Sequence, residues 1–72
     1  MRQTEMVMSY ANKIENEIDK LPNDLEKLVT LQYEAIARQN DAIACNDPKE
    51  AIQAAIRIAT CALLIAKNLG ET

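Results

Sequence analysis

The last third of the chain constrains the fold most, because from Ala51 to Leu69 it is apolar around almost its whole helical circumference. At 3.6 residues per turn, its polar residues fall on one narrow strip. That strip consists of Gln53, Arg57, Thr60 and then Lys67 or Asn68. Every other position is Ala, Ile, Leu or Cys. A helix with this pattern must be buried around most of its surface.

A chain of 72 residues is too small to bury such a helix alone. Eleven of its apolar residues are Ala, and it has no Phe or Trp, so burial at about 25 cal/mol per Å² yields little against the cost of ordering the chain. We therefore expect an obligate homo-oligomer or a subunit of a helical complex. The expected interface is Ala51, Ala55, Ile58, Ala59, Ala62, Ile65 and Ala66. The alternative is a monomeric bundle with an unusually apolar surface.

Pro22 and Pro48 divide the chain into three segments of similar length. Apolar residues recur at helical spacing in each, and the first segment carries the stripe Val7, Ala11, Ile14, Ile18 and Leu21. Short connections favour antiparallel neighbours. The sequence predicts one all-α domain over 1–72, with three antiparallel helices at about 3–20, 24–45 and 48–69. We expect them to pack as a small bundle within a homo-oligomer.

Residues typical of helix ends occur at the predicted boundaries. Asn23 followed by Glu26 indicates an N-terminal cap for the second helix. Asp47 before Pro48 indicates the same for the third helix, where the missing proline N–H has no cost. The single glycine, Gly70, predicts a left-handed stop at its end.

Composition argues against catalysis. The chain has no His, one Gly and a net charge of −3, which exclude an imidazole base or metal ligand, a glycine-rich phosphate loop and a broad basic surface for DNA. No carboxylate lies within an apolar stretch, and neither Cys45 nor Cys61 has a His to activate it. We expect no enzyme activity, no cofactor and no metal site.

The sequence favours a reducing cytoplasm. The N-terminus lacks the uninterrupted apolar region of a secretory signal, and charged residues interrupt the most apolar segment, so we expect no membrane helix. Cys45 and Cys61 are predicted to lie about 20 Å apart along the chain's helices, beyond the roughly 7 Å that a disulfide allows. Both are expected to be small buried side chains.

Three residues are candidates for ligand contacts. Arg57 lies in the middle of the most apolar helix, where it is either solvated, with its stem covering apolar surface, or binds an anion or carboxylate at a subunit junction. Arg38 interrupts the apolar pattern of the second helix, where it either lies on a solvated face, in a surface pair with Glu34, or hydrogen-bonds to a ligand or partner. Tyr10, at the edge of the first stripe, either completes the core or stacks on a base.

Residues 11–44 resemble the helical-hairpin sponges with which phages sequester cyclic oligonucleotide signals of the CBASS immune system. The resemblance is carried by Ala11, Ile14, Ile18, Pro22, Thr30, Glu34-Ala35-Ile36, Asn40 and Ala42-Ile43-Ala44. It implies a non-enzymatic homo-oligomer that binds cyclic nucleotides at subunit junctions, as an anti-defence protein in the host cytoplasm. The chain departs from that pattern at Arg38, where an aromatic residue is expected, and the helix over 48–69 has no counterpart.

The preferred hypothesis is a non-enzymatic helical protein that acts through helix–helix association, with itself or with a helical protein partner. The cyclic-nucleotide sponge is the alternative, with Tyr10 for base stacking and Arg38 or Arg57 for phosphate. Residues 50–64 also look like a small co-chaperone of type III secretion needles, which gives a third possibility.

Overall fold

A computed structural model describes residues 3–70 and shows three helices connected by short turns. They are α1 (Gln3–Ile18), α2 (Leu25–Ala44) and α3 (Pro48–Gly70). No strand occurs within these residues. The prediction of an all-α, three-helix domain is confirmed, and the first helix ends about two residues earlier than expected.

The cap of α2 is Asp24, and the prediction of Asn23 is wrong. Asp24 has extended backbone angles (φ −135°, ψ 119°), and its Oδ1 accepts from the backbone N–H of Glu26 at 3.0 Å. It therefore occupies the position from which a side chain can reach the free amides of the first turn. Asn23 instead accepts a hydrogen bond at 3.2 Å from the Nδ2 amide of Asn68, near the end of α3.

The turn between α2 and α3 follows its sequence signals more closely. Oδ1 of Asp47 accepts from the backbone N–H of Glu50 at 3.3 Å, which confirms Asp47 as the cap of α3. Asn46 has a φ of 56°, a left-handed conformation that Asn tolerates better than most residues. The predicted left-handed stop at Gly70 is wrong, because Gly70 has no positive φ and still belongs to α3.

Helix α3 is the centre of the molecule. It packs against both α1 and α2, whereas α1 and α2 do not pack against each other within residues 3–70. The buried residues all lie on α2 and α3: Leu28, Ala35, Ala42, Ala54, Thr60, Cys61 and Leu64. The described core is therefore an α2–α3 hairpin with α1 resting on one side of α3.

Helix α1 has no fully buried residue. Of its predicted apolar stripe, Ile14 and Ile18 are half-buried, whereas Ala11 is exposed and Val7 is 60% exposed. Because α3 is the helix that α1 contacts, burial is limited to the end of α1 that lies closest to it. The first half of the stripe therefore stays exposed, and only its second half is partly covered.

The polar strip of α3 lies largely between the two flanking helices. Thr60 is fully buried, and its hydroxyl donates to the carbonyl of Ile56 at 2.7 Å. Arg57 is half-buried and faces α1. The apolar positions on the other side of α3, among them Ala55 and Ala62, are exposed. The chain's own helices thus cover part of the polar strip, while Gln53 and Lys67 remain exposed.

The two cysteines are free and differ in exposure. Cys61 is buried on α3, as expected. Cys45 is exposed, so the prediction that it is buried is wrong. It follows the last residue of α2, where the chain turns away from the hairpin core.

By length and composition alone, α3 is apolar enough to cross a membrane. It has 23 residues, and 22% of its most apolar stretch is buried inside the molecule. Core helices of soluble proteins meet the same criterion. The expectation that the chain has no membrane helix therefore stays a prediction.

Candidate functional site

A polar cleft lies between α1 and α2, with α3 as its floor, and we call it the valley. It has a volume of about 370 Å³. Its lining residues are Lys13, Asn16, Glu17, Arg38, Gln53, Ile56 and Arg57. All three helices contribute to it, so the site exists only when α1 rests on the α2–α3 hairpin.

Arg57 and Arg38 both line the valley, and each is paired with a carboxylate of another helix. Nε of Arg57 donates to Oε2 of Glu17 at 3.3 Å. Nε of Arg38 donates to Oε1 of Glu50 at 3.0 Å, and its Nη2 contacts the same oxygen. The carboxylate partner of Arg38 is thus Glu50 of α3, and not Glu34 of its own helix as expected. Because Glu17 belongs to the same chain, the contact of Arg57 with an anion or carboxylate at a subunit junction stays a prediction.

Tyr10 lies beside the valley, in a second and apolar depression that we call the groove. The groove has a volume of about 280 Å³ and is lined by Tyr10, Ile14, Ile52, Ala55, Ile56 and Ala59. Lys13 connects the two depressions, because it lines the valley and its Nζ lies 5.0 Å from the centre of the Tyr10 ring. The three predicted ligand residues therefore lie in two adjacent depressions.

The valley concentrates positive charge in an acidic protein. Lys13, Arg38 and Arg57 line it together with one carboxylate, Glu17, while the chain as a whole has a net charge of −3. Both guanidinium groups are already paired, so an incoming anion would share or displace a carboxylate. Lys13, whose ammonium lies over a tyrosine ring, offers the more available cation.

Cys61 is shielded from chemistry at this site. Burial raises the pKa of its thiol above the usual value, while nearby Arg57 lowers the pKa and Glu17 raises it. A thiol with a raised pKa carries little of the nucleophilic thiolate at neutral pH. Among residues 3–70, no group of three His, Cys, Asp or Glu side chains is placed to hold a metal ion.

On the side of α3 away from the valley, the predicted interface residues reach the surface. Ala55, Ala62 and Ala66 are exposed; Ala51, Ile58, Ala59 and Ile65 are half-buried. Two larger residues extend this surface, Ile52 at 42% exposure and Leu63 at 55%. We use the term outer face for Ile52, Ala55, Ala59, Ala62, Leu63 and Ala66, which fall within an arc of about 100° on the helix.

Sequence reasoning missed several residues of these surfaces. Lys13 and Glu17 lie three and seven positions after Tyr10, the spacing of one helical face, so the pattern could have placed them with it. Leu63 and Ile52 were omitted from the predicted interface, although they adjoin the alanines on the same arc. The Arg38–Glu50 pair joins two helices, and no local spacing indicates it.

No protein-family model, curated protein or solved structure matches this chain.

Proposed function

We propose that the chain is a non-enzymatic assembly protein that acts by helix-to-helix association, with the outer face of α3 as its contact surface. The observation that carries this proposal is the exposed apolar face of α3: Ile52 and Leu63 are 42% and 55% exposed beside the exposed Ala55, Ala62 and Ala66. An exposed apolar face of this kind is typical of a protein–protein contact.

The low burial of α1 supports the same proposal. Helices of this length are marginal in water by themselves, and most of their stability comes from packing. The 16 residues of α1 bury none of their side chains fully. Met6, Val7 and Met8 are exposed near its first turns, at 43%, 60% and 63%. Further apolar contacts supplied by an assembly would stabilise this helix.

Sedimentation velocity at micromolar concentration tests the proposal. We expect a species of at least twice the chain mass of 8.0 kDa. The matched variants are Ala62→Glu on the outer face and Ala37→Glu, an exposed alanine on α2. The first is expected to dissociate the assembly, and the second to leave it intact. A folded wild-type monomer would contradict the assembly proposal.

Lipid is the other apolar surface that could cover α3, and vesicle flotation separates the two outcomes. The native chain is expected to stay with the soluble fraction, because Arg57 near the middle of α3 is held by Glu17 of α1. If a monomer in buffer floats with vesicles of neutral phospholipid, the face binds lipid and the assembly proposal is wrong.

Sequestration of a cyclic oligonucleotide is the second candidate function. It is favoured by the cations of the valley, which lie next to Tyr10 and could receive phosphates while the ring receives a base. A ligand that binds only the folded state raises the melting temperature. We expect cyclic di- or trinucleotides to do so for the wild type and less for Lys13→Gln, with Lys27→Gln on α2 as the charge-matched control. If the melting temperature does not shift at high ligand concentration, the sequestration function is wrong and only the assembly proposal remains.

A further inference from the structure

We infer that the outer face binds a second copy of the same chain, with Leu63 of each copy inserted into the groove of the other. The inference rests on the proposed assembly function and specifies its partner and geometry. In this arrangement α3 pairs with the second α3 in antiparallel orientation about a two-fold axis that passes near Ile58 and Ala59. Such a contact is self-complementary and closes at two copies.

The exposed area of the chain is consistent with one missing partner. Its solvent-accessible surface is 5452 Å². A compact monomer of 8.0 kDa is expected to expose about 4,450 Å². The excess of about 1,000 Å² is close to the roughly 800 Å² that each partner loses in an interface of standard size. One contact with a second copy would bring the exposed area near that of a compact protein.

The groove and Leu63 are suited to each other in chemistry. The groove is lined by aliphatic side chains and the Tyr10 ring, and its wall on α3 runs from Ile52 to Ala59. Leu63 lies on the same side of α3 and is 55% exposed. It is therefore a large apolar side chain placed close to an apolar depression that its own chain leaves open.

The symmetry brings the two features together. With the axis midway between positions 58 and 59, position 63 of the second copy lies level with position 54, between Ile52 and Ala55 of the groove's α3 wall. Because the operation is two-fold, the same contact forms twice. The pairs Ala55–Ala62 and Ala51–Ala66 are also equidistant from the axis, so small residues meet small residues and the helix axes can approach closely.

Charge does not oppose the contact. No residue of the outer face is charged, and Arg57 faces α1, where Glu17 pairs with it. Lys13 lies beside the groove, with its Nζ over the Tyr10 ring, but it does not line the groove. No residue at the centre of the interface therefore has a charge that must be removed from water, which is a large cost in many associations. The polar valley stays open on the opposite side of the dimer.

The first test compares two leucine-sized residues that are both exposed. Leu63→Glu is expected to raise the dimer dissociation constant on the order of 100-fold or more, since it places a charge in both grooves. Ile43→Glu, at a 65% exposed residue of α2, is expected to change it less than about threefold. Both variants should keep their helical circular dichroism, because neither residue is buried.

The second test measures orientation in the wild-type interface. A spin label is attached at Lys67→Cys, an exposed position of α3 outside the outer face, with Cys45 and Cys61 replaced by Ser and Ala. Antiparallel pairing separates the two labelled positions by about 25 Å along the helix axis. Parallel pairing would leave them about 10 Å apart.

The outcomes distinguish this inference from the function on which it rests. A dimer that Leu63→Glu dissociates, with the long label distance, supports both. An oligomer that tolerates Leu63→Glu, or that gives the short distance, overturns this inference and leaves the assembly function in place. A wild-type chain that remains monomeric overturns both.

Discussion

Arg57 joins α1 to α3 in the middle of the most apolar helix of the chain. Its guanidinium is half-buried and donates to Glu17, whose other carboxylate oxygen lies 3.9 Å from Nζ of Lys20. A partly shielded pair that joins two helices has more effect on stability than a fully exposed one. Since α1 buries no residue fully, this polar contact adds to the packing of the half-buried Ile14 and Ile18 in holding it in place.

Replacing Glu17 by Gln should therefore weaken the attachment of α1. We expect Glu17→Gln to lower the free energy of unfolding by about 1 kcal/mol, because it removes the charge that faces Arg57. Urea denaturation followed by circular dichroism measures the change. Glu15→Gln, on the exposed side of the same helix, is the control and is expected to have little effect. Equal effects of the two substitutions would mean that the ion pair does not stabilise the fold.

The two cysteines should differ in reactivity, because one is exposed and the other is buried with a raised thiol pKa. With iodoacetamide near pH 8, we expect native protein to be alkylated at Cys45 at least about tenfold faster than at Cys61, and unfolded protein at both alike. Peptide mass spectrometry assigns the modified residue. Since folding raises the Cys61 pKa, its contribution to stability is present at neutral pH and is lost as the pH rises above the thiol's unfolded value. Fast native alkylation of Cys61 would contradict the burial.

At the scale of elements, an aspartate cap immediately precedes each helix after the first. Asp24 and Asp47 accept hydrogen bonds from first-turn amides of α2 and α3, and both carboxylates also lie at the positive end of a helix dipole. The two caps fix where the hairpin helices start, and therefore which residues of α2 face α3.

Removal of the Asp24 cap should destabilise α2. We expect Asp24→Ala to cost about 1 kcal/mol in thermal or urea unfolding, and Asp24→Asn to cost much less, since Asn is a comparable cap. Asn23→Ala serves as the neighbouring control: it removes one exposed hydrogen bond to Asn68 and is expected to cost less than Asp24→Ala. If Asn23→Ala lowered the stability more than Asp24→Ala, Asn23 would be the effective cap of α2.

The number and type of elements could be predicted from local signals, whereas the direction in which α3 faces could not. Helical periodicity and the Asp47-Pro48 pair are properties of neighbouring residues, and they gave three helices and one correct cap. For Arg57, which belongs to the polar strip of α3, one of the two sequence-based interpretations was that it is solvated. The position of that strip depends on Glu17 and Asn23, which lie 40 and 45 residues away in sequence from Arg57 and Asn68.

The candidate site, too, could be predicted only in part from the sequence. The choice of Arg38, Arg57 and Tyr10 rested on side-chain chemistry, and the structure places the two arginines in one valley with Tyr10 in the groove beside it. The partners of the arginines come from other helices, so only packing reveals that both guanidiniums are already paired. The interface residues were expected from the apolar arc of α3, but the groove that adjoins them requires α1 to be in place.

At the scale of the whole molecule, stability is unevenly distributed. Helices α2 and α3 share the buried residues, while α1 contacts α3 alone within residues 3–70 and forms one wall of the groove. Insertion of a second copy's Leu63 would press on α1 through Tyr10 and Ile14. Association and the ordering of α1 are therefore expected to be coupled, since a ligand that binds the ordered form stabilises it.

Native-state hydrogen exchange checks this coupling. In the Leu63→Glu variant, we expect the backbone amides of α1 to exchange at least about tenfold faster than in the wild-type assembly, because α1 then opens without disturbing the α2–α3 core. Protection of the buried hairpin, for example around Leu28 and Leu64, should fall much less. In Ile43→Glu, which leaves the outer face unchanged, α1 should keep its wild-type protection. If α1 exchanges at the same rate in all three proteins, its order is independent of association, and the groove is not the surface through which a second copy stabilises the fold.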